Sequence, residues 1–189
     1  SKTDEGQLTL QQSFAHTRKQ ALDHVMDQFS ELLAIDNETL EDAKEMENVY
    51  QSVQRDSLYQ KLLAMANVHT ASQFGLDVPS DADKRMAEAL RGDSWENIEG
   101  QDWFCSAQAM ADDEKFFHWE IEFPIAFYDI DGNRMEDVGF DVVLGNPPYA
   151  QIQLLDENSV GYYRDVYNAS SGSFDIYTLF VEMGADMLS

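Results

Sequence analysis

The sequence predicts an α+β or partial α/β fold, in which a long helical hairpin precedes an incomplete portion of a sheet. Two helical stripes of apolar residues occupy residues 1–75. β-forming residues then gather on both sides of a turn signal at 129–133, and a continuous apolar run follows at 140–144. We therefore divide the chain into a helical hairpin at 1–75, a connector with one short helix at 76–105, and a mixed region at 106–189.

The hairpin is predicted from apolar residues at three-and-four spacing, which is typical of one buried helical face. A second stripe runs from Leu40 to Val68 after the break "IDNET", where Asn37 or Thr39 is suited to cap the new helix. Two helices that pack on each other as a spacer are one interpretation, and a partner-binding coiled coil is the other. The first stripe comprises Leu22, Val25, Met26, Phe29, Leu32 and Leu33.

The connector contains one capped helix, from Ser80 to about Arg91, between polar loops. From about Ser106 a short helix leads into the β-rich stretch. The turn at 129–133 resembles the start of a calcium loop, but its glycine comes too early and no glutamate follows at the twelfth position, so a hairpin turn is predicted. The final segment, 173–189, predicts a helix, and we expect the chain to end inside an element.

The charge of the chain is strongly acidic, with 36 acidic against 12 basic residues and a formal net charge of -24. A small domain needs a net charge of only about 2–8 in magnitude for solubility. The acidic residues are spread along the whole chain instead of forming one tail. Because abundant counterions screen such self-repulsion, the pattern indicates a halophilic surface.

Cysteine, histidine and hydropathy patterns argue against several classes of site. The single Cys105 excludes an internal disulfide, and four scattered histidines offer no Cys/His spacing for a metal. His118 lies beside alternating acidic residues, which we interpret as the edge of a strand rather than a metal or nuclease site, and "DDEK" at 112–115 as a helix end. No run approaches roughly 18 apolar residues, and the N-terminus lacks a signal peptide's apolar core. We expect a soluble cytoplasmic protein that binds no membrane.

The most informative stretch is "GFDVVLGNPPYAQ" at 139–151. The run at 140–144 predicts a strand buried on both faces of an α/β sheet. Asn146 and Pro147 each precede a proline, which holds both in an extended conformation. Neither proline donates a backbone hydrogen bond, so the segment offers acceptors and few donors. Such a segment suits a ligand that donates twice.

An exocyclic amino group is a ligand of this kind. Its two hydrogens match the side-chain oxygen of Asn146 and the carbonyl of Pro147, and Tyr149 offers a ring face to a flat heterocycle. Ligands of open α/β sheets bind beyond the carboxyl ends of strands, which is where this segment is predicted. Fixed acceptors would stabilise a nitrogen that becomes positive during attack. The sequence therefore predicts alkylation of an amine.

"GNPPY" behind "FDVVL" resembles the catalytic motif of S-adenosylmethionine-dependent methyltransferases that act on N6 of adenine in DNA. The flanks "FFHWEIEFPIAF" and "FDIYTLFVE" are similar to those in large restriction-modification and phage-exclusion methyltransferases. The resemblance covers about residues 58–189. It implies that the sheet belongs to a Rossmann-like methyltransferase fold, and that 106–189 is part of its catalytic region.

The resemblance implies roles for matching residues. Asn146 and Pro147 would hold the amino group of an adenine flipped out of double-stranded DNA, Tyr149 would stack on it, and Pro148 would shape the substrate-binding loop. Two further residues are weaker candidates for contact with S-adenosylmethionine: Asp141, whose alternative is a strand-edge carboxylate, and Phe180, whose alternative is a core aromatic. Other restriction or defence subunits are implied as partners.

The sequence also departs from this family. The ten glycines are isolated, so the glycine-rich turn that binds the cofactor is absent. We therefore expect a segment of a larger enzyme that carries the acceptor-base motif and little of the cofactor site. Phosphate contacts need lysine and arginine, and Lys115, Arg134 and Arg164 are the few near the motif, so this chain by itself is expected to bind DNA poorly. A non-catalytic helical scaffold or subunit-docking module remains the alternative function.

Overall fold

The computed structural model describes residues 23–92, 94–129, 133–136, 138–148, 155–170 and 175–188. The chain forms two compact units, one of Ser1–Ser72 with Leu76–Arg134, and one of Gln73–Gly75 with Met135–Ser189. We call them unit 1 and unit 2; the sequence-based division at 75 and 105 stays a prediction. The described helices are α1 (23–33), α2 (Leu40–Arg55), α3 (Ser57–Gln73), α4 (Ala82–Arg91), α5 (Glu96–Glu99), α6 (Asp102–Glu114), α7 (Trp119–Glu122), α8 (Glu157–Val166) and α9 (Ile176–Asp186).

The predicted α+β or partial α/β fold is wrong, because the described residues form helices and isolated β-bridges but no strand or sheet. Ahead of the predicted turn, the β-rich stretch contains α7 and a 3₁₀ turn, Pro124–Ala126, instead of a strand. The fixed φ of Pro124 suits the first position of a helical turn. Around the predicted turn at 129–133, an antiparallel bridge joins Tyr128 to Arg134.

The apolar run at 140–144 is not a strand of a Rossmann-like sheet. Val142 is 68% exposed and Leu144 is 91% exposed, so the run is not buried on two faces. A strand needs neighbours that bond its backbone, and in the described residues this run has an isolated parallel bridge between Phe140 and Leu188. The run is apolar, as a strand requires, but its composition does not show whether neighbouring strands are present to pair with it.

Among the residues that the structure describes, the first elements of unit 1 are α1, α2 and α3. The predicted cap Thr39 is confirmed: its hydroxyl accepts from Asp42 N at 3.1 Å, and Asp42 Oδ2 accepts from Thr39 N at 2.8 Å. The second apolar stripe, however, forms two helices instead of one. Asp56 separates them, because its carboxylate accepts from the backbone N–H groups of Leu58 and Tyr59 and so caps α3.

Two apolar clusters hold unit 1 together. The first joins α1 to the end of α2 and the start of α3, and the second joins the rest of α3 to α4, α5 and α6. α3 belongs to both, so it fixes the position of the residues that follow α6. The buried members of the first cluster are Val25, Phe29, Val53, Tyr59 and Leu62.

Unit 2 is built on α8 and α9. Leu179 is buried against Val160, Tyr163 and Tyr167, and Tyr162 stacks on Phe74 with ring centroids 4.3 Å apart. These tyrosines of "GYYRDVY" therefore serve as a packing surface. The carboxylate of Glu182 on α9 also accepts from the backbone N–H groups that begin the 3₁₀ turn Asn168–Ser170, which fastens this turn to α9.

Candidate functional site

The structure describes the predicted acceptor segment as far as Pro148, and Tyr149 lies outside the described residues. Asn146 and Pro148 are exposed and Pro147 is half-buried. Asn146 precedes a proline, as does Pro147, which favours extended backbone at both. The segment thus presents the amide of Asn146 to solvent on a stiff backbone.

The acceptor segment follows a run that lies beside α9 of the same unit. Phe140 N donates to Met187 O at 2.8 Å, and a Cβ placed on Gly184 would lie 3.5 Å from Val143 Cγ1. The run therefore passes from the C-terminal end of α9 towards its N-terminal end, which is the direction of Phe180.

A close backbone approach anchors the start of this run. Gly139 has φ of +130°, and a Cβ at this position would lie 2.3 Å from Met187 O. Only glycine fits here without strain, because other residues rarely adopt this φ and any side chain would collide with backbone atoms. Gly139 therefore makes the contact with α9 sterically feasible.

The two weaker site candidates are both on the surface. Asp141 is exposed at the start of the run. Phe180 is 41% exposed on α9, so it is not the core aromatic that was its alternative interpretation. Both remain predicted cofactor contacts, and they lie in the same unit as Asn146.

Three cations lie close to the candidate residues along the sequence, and each is described within its own unit. Arg134 forms an ion pair with Glu120, and Lys115 Nζ donates to Asp112 O at 2.6 Å. Arg164 is exposed on α8. With a net charge of -24 over the chain, the electrostatics disfavour a strong contact between this chain by itself and DNA phosphates.

The structure also contains a cavity in unit 1 that sequence reasoning missed. Its volume is about 450 Å³, and α3 forms one wall while the segment around α7 forms the other. We call it the α3–α7 cavity. It is lined by Leu62, Met65, Ala66, His69, Thr70, Phe117, His118, Trp119, Glu120, Ile121 and Tyr128.

A chain of hydrogen bonds fixes the proton on His118 at the wall of this cavity. Gln108 Nε2 donates to Ala64 O at 3.1 Å, and since a carbonyl only accepts, this bond sets the orientation of the Gln108 amide. Gln108 Oε1 accepts from Asn67 Nδ2 at 2.8 Å, so Asn67 Oδ1 faces His118 Nε2 at 2.8 Å. That oxygen can only accept, so His118 carries its proton on Nε2.

The second ring nitrogen of His118 is consequently an acceptor. Burial, followed by the nearby His69, lowers the pKa of His118 from its ordinary value of 6.5, so the imidazole is neutral at pH 7. His118 is the N-cap residue of α7, but its side chain does not cap the helix. Nδ1 therefore keeps a lone pair, and the interpretation of His118 as the edge of a strand is wrong.

The rings of Phe117 and Trp119 belong to the lining of the cavity. Phe117 and Trp119 meet edge to face with centroids 4.8 Å apart, and Trp119 stacks with Phe123 at 5.9 Å. Glu120 accepts from Tyr128 and Arg134, which ties α7 to the bridge at 128 and 134. The run "FFHW" at 116–119 was the sequence signal for this lining, because it places three aromatic residues beside a histidine.

Two absences apply to the described part of the chain. Within it, no group of three or more His, Cys, Asp or Glu side chains is arranged to hold a metal ion. None of the helices there is both long and apolar enough to cross a membrane.

Comparison with known proteins gives a match over most of the chain. The model of a family described as Eco57I restriction-modification methylase matches residues 15–189. A Methanocaldococcus jannaschii protein, whose name describes a type II restriction enzyme and methyltransferase, is 32% identical over 74 residues, which are 39% of this chain and 5% of that protein. The type II methyltransferase M.BstVI of Geobacillus stearothermophilus is 33% identical over 54 residues, 29% of this chain and 10% of that protein. The aligned stretches thus span a small part of these relatives, and no solved structure matches.

Proposed function

Because this chain belongs to the Eco57I restriction-modification methylase family, we propose that it is the segment of a DNA methyltransferase that holds the base to be methylated. The full-length protein transfers a methyl group from S-adenosylmethionine to N6 of an adenine that has been flipped out of double-stranded DNA. It does so in the cytoplasm, as part of a restriction-modification or phage-defence system that can include other subunits.

The observation that carries this proposal is the exposed amide of Asn146 on a proline-stiffened segment. The adenine amino group donates one hydrogen to the Asn146 side-chain oxygen and the other to the Pro147 carbonyl. Both acceptors are held in place before the base arrives, because the following prolines restrict the backbone. Pro148 keeps the segment extended, and the ring of Tyr149 stacks on the base.

These acceptors act on the charge that develops during methyl transfer. The N6 lone pair forms the new bond to the methyl carbon while the carbon–sulfur bond of the sulfonium breaks, and the nitrogen becomes positive until it releases a proton. Preorganised oxygen dipoles stabilise that positive charge more than they stabilise the neutral amine. The segment therefore lowers the barrier to transfer, besides orienting the base.

Phe180 and Asp141 are proposed to border the cofactor. From Val143, which lies beside Gly184, an extended chain gains roughly 10 Å in the three residues to Asn146. One turn of α9 covers about 5.4 Å between Gly184 and Phe180. Along the axis of α9, Asn146 would thus lie within roughly 5 Å of Phe180, which supports a placement of the exposed Phe180 ring near the acceptor segment. S-adenosylmethionine carries no phosphate, and its sulfonium group is positively charged. Both properties suit binding by an acidic chain.

The ring of Tyr149 provides a first test. In the full-length protein we expect Tyr149→Ala to weaken capture of the flipped base by about 1–3 kcal/mol, which is the usual contribution of base stacking. Tyr149→Phe should retain most of the capture, because the ring face and not the hydroxyl is used. Fluorescence of 2-aminopurine at the target position measures the flipping. Equal flipping by the alanine and phenylalanine variants would contradict the stacking role.

The acidic surface provides a second test, since we propose that it is a halophilic adaptation. Screening of self-repulsion should raise the melting temperature of the 189-residue chain steeply between low and multimolar potassium chloride. The same titration with an uncharged osmolyte at matched water activity serves as the control. A melting temperature that does not change with salt would remove the halophilic interpretation.

A further inference from the structure

We propose that the α3–α7 cavity is a binding site for a phosphate-free purine that carries an exocyclic amino group, such as adenosine. The proposal concerns unit 1, uses none of the residues proposed for methyl transfer, and does not rest on that function. It is carried by the shape and lining of the cavity, the hydrogen-bonding state of His118 and the distribution of charge around it.

The shape of the cavity suits a flat ring of this size. Its volume of about 450 Å³ falls within the range of about 300–1,000 Å³ that is usual for small-molecule sites. The lining combines the apolar side chains of Leu62, Met65 and Ala66 on α3 with the rings of Phe117 and Trp119 from the segment around α7. A planar heterocycle between these groups would stack on an aromatic ring with one face and cover aliphatic groups with the other.

The hydrogen-bonding state of His118 selects a ligand that donates. Its Nε2–H is committed to Asn67 Oδ1, and Asn67 is itself fixed through Gln108 and the Ala64 carbonyl. Nδ1 is therefore a hydrogen-bond acceptor. It cannot become a donor through a flip of the Asn67 or Gln108 amide, because the Ala64 carbonyl fixes the orientation of both. An exocyclic amino group supplies the matching hydrogen. Thr70 adds a hydroxyl to the same lining, which can serve a ring nitrogen.

The charges disfavour a ligand with phosphates. Among the described residues that line the cavity none is a lysine or arginine, and the nearby Arg134 is paired with Glu120. Glu120 itself lines the cavity, and the chain carries a net charge of -24. A nucleotide or a nucleic-acid strand would bring negative charge into this field, whereas a nucleoside would not.

The test is calorimetric titration of the 189-residue chain with adenosine, purine riboside and adenosine monophosphate. Purine riboside has the same ring system and sugar but lacks the amino group, so we expect it to bind several-fold to about tenfold more weakly than adenosine. Adenosine monophosphate should bind at least about tenfold more weakly because of its charge. These comparisons use the unaltered protein and need no variant to fold.

Variants then assign the contacts. His118→Phe retains a ring but removes the acceptor, so adenosine should fall to the affinity of purine riboside. Purine riboside should itself change little, which serves as the internal control. Trp119→Ala should weaken both ligands by roughly tenfold or more.

Acidification provides an independent reading of the same acceptor. Protonation of Nδ1 converts it to a donor, and the pKa of His118 lies below 6.5, so adenosine affinity should fall as the pH drops below 6.5. His69, Glu120 and Tyr128 also line the cavity and can titrate. The loss of adenosine affinity on acidification is therefore assigned to His118 only if it disappears in His118→Phe.

Three results would overturn the proposal. One is the absence of adenosine binding at millimolar concentration, and another is equal binding of adenosine and adenosine monophosphate. The third is a preference for adenosine over purine riboside that persists unchanged in His118→Phe. Since no readout involves methyl transfer, failure here is distinguishable from failure of the proposed methyltransferase function.

Discussion

Asn146→Ala is expected to lower the rate of methyl transfer by the full-length protein by about a hundredfold to a thousandfold, with little change in DNA affinity. The magnitude is that of removing one preorganised polar contact from a developing charge. The substitution removes the side-chain acceptor but leaves the prolines that stiffen the backbone. The adenine amino group then keeps the Pro147 carbonyl and loses its second acceptor. Binding depends mainly on phosphate contacts elsewhere, so affinity changes little.

Single-turnover methyl transfer to an adenine-containing duplex measures this effect, because it separates the chemical step from product release. Gly145→Ala is a suitable control: it adds a methyl group to the adjacent residue, where no described atom beyond the chain neighbours lies within 4 Å of the new Cβ. The control should retain most of the activity. Transfer by Asn146→Ala at the wild-type rate would mean that the segment has no catalytic role, as expected of a docking module.

Gly139→Ala should destabilise the contact between the extended run and α9 by about 2–6 kcal/mol. The estimate combines about 1–3 kcal/mol for an unfavourable backbone conformation with about 1–3 kcal/mol for overpacking. The positive φ of +130° and the approach of 2.3 Å to Met187 O act together, and the backbone on both sides must shift. The hydrogen bond from Phe140 N to Met187 O would be lost with this shift.

Amide hydrogen exchange of Phe140 in the 189-residue chain reports this contact directly. Exchange should be slow in the native chain and fast in Gly139→Ala, and urea unfolding should shift to lower concentration. The matched control is Gly161→Ala within α8, where a Cβ meets no described atom within 4 Å and should stabilise the helix by about 0.5–1 kcal/mol. If both variants exchange and unfold alike, the close approach at Gly139 does not support the acceptor segment.

Local signals in the sequence predicted some local structure: the cap at Thr39 is confirmed, whereas the helix predicted to be capped from Ser80 begins at Ala82 without a side-chain cap. Thr39 was recognisable as a helix cap because the residues that bond it lie three positions away. The fold class failed for the opposite reason. The run at 140–144 has a strand's composition, yet in the described residues its backbone meets Met187 and no neighbouring strand. The stretch at 119–126 was misread because a few alternating residues fit a strand or a helical turn equally well.

The acceptor segment and the α3–α7 cavity differ in how far the local sequence predicts them. Asn146, Pro147 and Pro148 are adjacent in the chain, so the restriction of their backbone follows from the sequence itself. The α3–α7 cavity instead depends on contacts between distant residues. Asn67 meets Gln108 across 41 positions and His118 across 51 positions, and no periodicity marks such a chain of bonds. The tautomer of His118 could therefore be deduced from the structure and not from the sequence.

The most direct measurement of the central claim is nucleoside analysis of DNA after incubation of the full-length protein with S-adenosylmethionine. If the segment at 146–149 holds the amino group of a flipped adenine, digestion and mass spectrometry should find N6-methyladenine with the wild-type protein. Asn146→Ala should give little under the same conditions, and Gly145→Ala should give close to the wild-type amount. Methylation confined to cytosine, or N6-methyladenine formed equally by Asn146→Ala, would contradict the account.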